Sequence, residues 1–206
     1  MDANQIRFAI FLAIFLLMLG LESVIQRHPT VDVKTRRLKI NLALTGIDIL
    51  VVRLFFGAAA VGAAQFAGER GWGLFNYLEW PEGLETFFCV IILDLMIYIQ
   101  HVVLHMIPFF WRFHIVHHSD LDLDVSSGLR FHPIEILGSM LYKIGLVFAL
   151  GPSTTTVLIF EAILNGMAQF SHSNITLPES LDRLLRYIIV TPDMHRIHHS
   201  VEKEET

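Results

Sequence analysis

The chain has one cysteine in 206 residues, Cys89, and it falls inside an apolar run. A disulfide framework or a thiolate zinc site within one chain is therefore excluded, and Cys89 reads as a buried apolar side chain. Charge is scarce too. Charged residues make up 17% of the chain against 53% hydrophobic, with mean hydropathy +0.54. Soluble domains carry about a quarter charged residues, so the balance points to a membrane protein. A net charge of -5 and a pI near 6.1 leave no basic field for nucleic acid, and there is no basic arm. No internal repeat or low-complexity segment stands out, and no flavin, haem or ferredoxin motif is present. Histidine is almost missing from the first hundred residues, where His28 stands alone in a basic loop and reads as solvated. The other ten of the eleven histidines lie between His101 and His199.

What is present is a set of apolar runs. Ile6 to Ile25 has about the length needed to cross a bilayer. It lacks a basic leader and a small-residue cleavage site, which favours a retained span over a signal peptide. Leu42 to Phe66, rich in Gly and Ala, reads as a second span with close helix packing, and Leu84 to Ile107 as a third. Ile134 to Leu150 and Thr154 to Phe170 are shorter, and Gly151-Pro152 between them marks a tight reversal. The expected fold is an all-α integral membrane helical bundle of about three spans plus a helical hairpin. The expected division is residues 1–83, membrane spans and loops, and residues 84–206, a catalytic region.

Basic residues set the expected orientation. The loop after the first run carries Arg27, Lys34, Arg36, Arg37 and Lys39, whereas Ala67 to Gly83 has only Arg70. The positive-inside rule puts residues 26–40 in the cytoplasm and residues 67–83 outside. Following the spans onward, every histidine of the dense half lands on the cytoplasmic face. Charges within the runs match in depth as Arg53 with Asp94 and Lys143 with Glu161, two expected pairs of the kind that intramembrane charges form.

The histidines fall into three clusters. HVVLH holds His101 and His105 at i and i+4, on one face of a helix. HIVHH holds His114, His117 and His118, and HRIHH holds His195, His198 and His199. Within each of the last two, the spacing places all three rings on one side of a turn. The adjacent pair is splayed by about 100°, so that two rings can address two metal ions. Eight imidazoles exceed what one ion can use, and they suit iron, zinc or copper rather than calcium or magnesium. Trp111 and Arg112 read as interfacial anchors for the middle cluster.

These clusters resemble the HxxxH, HxxHH and HxxHH boxes of the fatty acid hydroxylase (sterol desaturase-like) superfamily of integral membrane proteins. DLMIYIQH, LRFHPIE, FSHSN and TPDMHRIHHS resemble stretches around and between its boxes, especially in bacterial members. The resemblance runs from about Asp94 to Ser200 and implies a non-haem di-iron centre, two iron ions with O2 as co-substrate. It implies hydroxylation or desaturation of a C–H bond of a fatty acyl or sterol-like lipid drawn from the bilayer. Electrons would come from a separate donor protein. It assigns ligand roles to His101, His105, His114, His117, His118, His195, His198 and His199. His172 in FSHSN falls where the family places a further ligand, the alternative being a hydrogen bond to one. His132, ahead of Pro133, is either a ligand or a hydrogen-bond partner to one.

Metal-bound imidazoles usually donate their other N–H to a carboxylate or carbonyl. Asp94, seven residues before His101, and Asp193 and Asp120, beside the other boxes, are candidates for that role, as is Glu135. The competing reading is a histidine-rich metal-binding or metal-transport membrane protein, but transport sites tend to lie near mid-membrane on broken helices, not at one end. A zinc hydrolase is the third, and HExxH is absent. The chain ends at VEKEET, whereas family members usually continue through a polar and aromatic segment; on that comparison the C-terminus is expected to be truncated.

Overall fold

A computed structural model describes residues 3–57 and 59–200. The VEKEET tail, residues 201–206, lies outside the described residues. The described residues form ten α-helices in order: α1 Ala3–Val24, α2 Lys34–Phe56, α3 Ala59–Arg70, α4 Leu74–Leu78, α5 Glu82–Met106, α6 Pro108–His118, α7 Pro133–Leu150, α8 Thr154–His172, α9 Glu179–Leu185 and α10 Pro192–His198. A short 3-10 turn covers Ser127–Leu129. Among the described residues there is no strand; Gln26 and Ile175 make an isolated antiparallel bridge. The all-α expectation holds.

Among the described residues four helical stretches are long and apolar enough to cross a membrane: Gln5–Val24, Lys34–Leu78, Glu82–Met106 and Pro133–Leu150. Only 11% of the first and third is covered by protein, so their apolar side chains need lipid as solvent. This is an integral membrane protein. The second stretch corrects the expected span from Leu42 to Phe66. It is broken at Gly57, whose φ of 57° lies in the left-handed region and ends α2. A run of Gly and Ala reads as one continuous apolar helix in sequence, but the glycine ends the turn. Residues 34–40, expected as loop, are the first turns of α2.

The chain divides into two compact units. One comprises residues 1–45, 114–131 and 164–206. Its apolar core joins Phe15 and Met18 of α1 to Val125 and Leu129 of the loop after α6, with Ile14, Leu38 and Phe170 packed around them. Beside this core lies a buried polar one. The Arg37 guanidinium on α2 donates to Asp120 at 2.7 Å, to Asp124 at 2.9 Å and to the Asp122 carbonyl. Glu22, at the end of α1, accepts from the backbone N–H groups of Val125 and Asn174 at 2.7 and 2.9 Å and from Lys34 at 2.8 Å. Arg37 was expected as a topogenic surface charge and is instead 3% exposed. The basic bias of this end therefore rests on Arg27, Lys34, Arg36 and Lys39.

The other unit comprises residues 46–113 and 132–163. Ala60, Ala63 and Ala64 of α3 pack on Val147 of α7 and Val157 of α8; small side chains allow helices to approach closely. Gly151 closes α7 in a left-handed cap, its N–H donating to the Val147 carbonyl, and α8 starts three residues later. The tight reversal expected at Gly151-Pro152 is there. Its backbone lies against Gly73, where a Cβ would overlap the Gly151 amide, so this contact requires glycine. Lys143 pairs with Glu161 at 3.2 Å, as expected. Arg53 and Asp94 do not pair: both are exposed, and Asp94 makes no hydrogen bond among the described residues.

Candidate metal centre

His101 and His105 belong to the second unit and sit one turn apart near the end of α5, ring centroids 4.8 Å apart. Pro108 starts α6 after a one-residue break at Ile107; proline at the first helical position loses no helical hydrogen bond. That helix carries the middle box into the first unit. His114 and His117 are buried, 1% and 2% exposed, and the His114 ring is 5.3 Å from His117 and 5.0 Å from His118. α10 delivers the third box. It starts at Pro192 behind Thr191, whose hydroxyl caps the helix, and it brings the His195, His198 and His199 rings within 5.5 Å of one another.

The site residues of the first unit meet in two groups. His117, His172, His195 and His199 have ligand atoms all within 4.8 Å of one another, and so do His118, His198 and His199. His199 is common to both. His172 lies among these rings: its Nε2 is 3.1 Å from that of His117 and 3.0 Å from that of His195. His195 and His199 continue the chain at 3.1 Å.

The hydrogen bonds behind these rings set their protonation. His172 Nδ1 lies 2.7 Å from the Ala168 carbonyl, and His117 Nδ1 lies 3.2 Å from the Arg130 carbonyl. A carbonyl can only accept, so each Nδ1 carries the proton and each Nε2 presents a lone pair. Two lone pairs then face each other at 3.1 Å. That contact is repulsive unless a cation lies between them. A proton is a poor candidate. Burial first, and then the neighbouring His172 and His199 rings, hold His117 well below the usual imidazole range. Burial also takes His172 down to about 4, against the opposing pull of the Ala168 carbonyl. His198 falls to about 4 as well, through burial and His114. Near neutral pH these are neutral imidazoles, and His117 and His172 turn their Nε2 lone pairs inward, the donor type of a transition-metal or zinc ion. The residues fit a metal.

The expected carboxylates do not back His117 or His172. Carbonyls, not carboxylates, orient His117 and His172. Asp193 pairs with Arg27 at 3.3 Å. Asp120 is held by Arg37; burial raises its affinity for a proton, but hydrogen bonds from Arg37, Ser127 and Asn41 outweigh this and keep it below the usual carboxylate range. Glu135 is buried on α7 near Asp48. His132 stands outside both groups and caps α7, its Nδ1 accepting from the Ile134 N–H at 3.1 Å. His28 is exposed, as expected.

Sequence reasoning missed the splint behind the centre. Arg130, whose carbonyl orients His117, is itself clamped: its guanidinium donates to the Val116 carbonyl at 3.0 Å, to Ser119 and to Asn41. Gly128 packs flat on His172. A Cβ there would lie 3.2 Å from the Ala168 carbonyl oxygen and from Cγ and Nδ1 of His172. Gly128→Ala should therefore push the His172 ring aside and weaken metal retention roughly tenfold, the low end of what losing an outer partner costs. Metal analysis after dialysis against a chelator checks this; undiminished retention at unchanged helicity would refute it. A cavity of about 420 Å³, lined by His28, Asp120, Asp122, Asn174 and Arg196 among others, opens on His199.

The family model for fatty acid hydroxylase matches residues 86–206, more than half of the chain and all three boxes. The chain belongs to the fatty acid hydroxylase family. An alkylglycerol monooxygenase of Caenorhabditis elegans is 27% identical over 168 residues, 79% of this chain and 32% of that protein. The ornithine lipid hydroxylase OlsE of Rhizobium tropici is 30% identical over 126 residues, 59% of this chain and 36% of its own length. A human alkylglycerol monooxygenase is 28% identical over 168 residues, 78% of this chain and 36% of that protein. This fatty acid hydroxylase family member thus spans about a third of the length of these curated relatives. No solved structure matches it.

Proposed function

We propose that this chain is the catalytic part of a membrane-bound, iron-dependent enzyme that uses O2 to hydroxylate or desaturate a C–H bond of a lipid. The observation that carries the reading is the meeting of His117 and His172, two Nε2 lone pairs 3.1 Å apart with their tautomers set from behind. The proposed ligands are His117, His172, His195 and His199 for one iron. The remaining box histidines, His114, His118, His198 and, by family resemblance, His101 and His105, serve a second. Iron bound there supplies the O2 and one-electron chemistry that no side chain can. The chain's own part is to hold neutral donors and to keep bulk water from the buried rings. An apolar chain fits the setting, because the spans leave their surface to lipid. We place the boxes on the cytoplasmic face, from the bias of Arg27, Lys34, Arg36 and Lys39, and assign electron delivery to a separate protein.

The metal-transport reading has no support from the relatives, which are named as lipid-modifying oxygenases and hydroxylases. The deciding experiment is anaerobic loading of the purified chain with ferrous iron and, separately, zinc, followed by O2-uptake measurement with a chemical reductant. Two irons per chain and lipid-dependent uptake are expected. Stoichiometric zinc retained in preference to iron, with no uptake, would overturn the reading.

A further inference from the structure

Between the FSHSN stretch and the third box, the chain exposes a run of apolar side chains. From Leu181 to Val190 the sequence is LDRLLRYIIV, and Leu181, Leu184, Tyr187, Ile188 and Val190 are all exposed, Tyr187 at 88% and Ile188 at 82%. The first two share the outer face of α9. The helix turns its opposite side inward through Asp182, which is buried and takes the Arg186 guanidinium at 2.6 Å.

Both ends of the segment are tied to one place, the end of the first membrane span. That span runs to Val24. The very next residue, Ile25, accepts the Thr176 N–H at 2.7 Å, just ahead of α9. Arg27 donates its backbone N–H to the Asn174 carbonyl at 3.0 Å and pairs through its side chain with Asp193, just beyond the segment, at 3.3 Å. Residues 177–190 thus leave and return at the depth where α1 leaves the hydrocarbon. Apolar side chains are exposed at the end of α1 as well, where Val24 is 80% and the next residue, Ile25, 39% exposed.

We propose that residues 177–190 are an interfacial anchor, a patch that lies in the headgroup boundary of the lipid bilayer and seats the third histidine box on the membrane surface. Charge favours lipid over a protein partner. Arg183 and Arg186 are matched within the helix by Glu179 and Asp182, so the patch offers no surplus of either sign to an ionic docking surface. Apolar side chains beside a tyrosine, rimmed by arginines, are the composition of a membrane-water boundary. The anchor requires only that the chain be a membrane protein; it does not depend on the oxidation chemistry. Its functional consequence is placement: Thr191 and α10 follow directly, so the third box is held against the leaflet.

The test is a depth measurement on the full chain in lipid nanodiscs. In a Cys89→Ala background, Tyr187→Cys and Ile188→Cys would each carry one nitroxide, and power saturation would compare collisions with O2 and with a water-soluble nickel chelate. O2 collisions several-fold in excess, giving a depth at or just below the phosphates for both labels, are expected. Free access of the nickel chelate would overturn the proposal. So would shielding from both reagents, the outcome if a second copy or another protein covers the patch. Metal content, measured on the same samples, separates this result from the fate of the iron reading.

Discussion

His199→Ala and His198→Ala should each empty a different metal group. His199 stands with His117, His172 and His195, its Nε2 facing that of His195, and His198 has no part in that group. Even an outer hydrogen-bond partner is worth about 10- to 100-fold in metal affinity, so loss of a direct ligand should cost at least that. Purified in detergent and washed with a chelator, the wild-type chain should keep two irons, either variant about one and the double variant close to none. If the double variant kept as much iron as either single one, the division of the rings into two groups would be wrong. The magnitude is large because the rings cannot be replaced by water at low cost. A missing His199 imidazole removes the ring that faces the His195 Nε2 at 3.1 Å and opens the group toward the cavity that His199 lines.

Arg37→Met should be the most damaging change away from the metals. It would leave Asp120 and Asp124 without their guanidinium and Asp122 without its nearest charge, all in a buried polar core. Removing one partner of a buried ion pair costs about 3–5 kcal/mol, because the remaining charge stays desolvated. For a chain of this size that corresponds to a fall in melting midpoint on the order of 10 °C. Arg36→Met is the matched control. Its side chain is 72% exposed and only 4.0 Å from Asp32, so it should change stability by less than about 0.5 kcal/mol. Thermal unfolding in detergent, followed by circular dichroism, measures both. Equal midpoints for the two variants would show that the Arg37 cluster is not a stabilising core.

The histidine boxes were legible because they obey a period. Spacings of three and four residues place rings on one helical face whatever the surroundings, and α6 and α10 keep that period with a proline at each start. The spans were legible because length and apolarity are summed over many residues. What failed to show were features decided by one residue against its tertiary neighbours. Gly57 looks no different from the glycines around it until its φ is known. Arg37 sits in a basic stretch, and only the arrival of Asp120, Asp122 and Asp124 from 83 or more residues away makes it a core residue. His132 shows the converse: a histidine before a proline reads as a ligand candidate beside so many others, yet it closes a helix start. Asp94 and Asp193 are near the boxes in sequence, while the groups that orient His117 and His172 are backbone carbonyls, which every residue has and no sequence flags.

Those carbonyls have a consequence for the charge of the centre. Among the described residues the two groups in the first unit consist of histidines alone, and the rings oriented from behind lean on neutral oxygen. A carboxylate in either position would pull the ring toward imidazolate and lend negative charge to the ion. A neutral carbonyl adds none, so a metal ion held there, as proposed, would gain less stabilisation in its higher oxidation state than with carboxylate backing. The backbone of α8 and the loop before α7 would thereby tune such an ion without contributing a ligand atom.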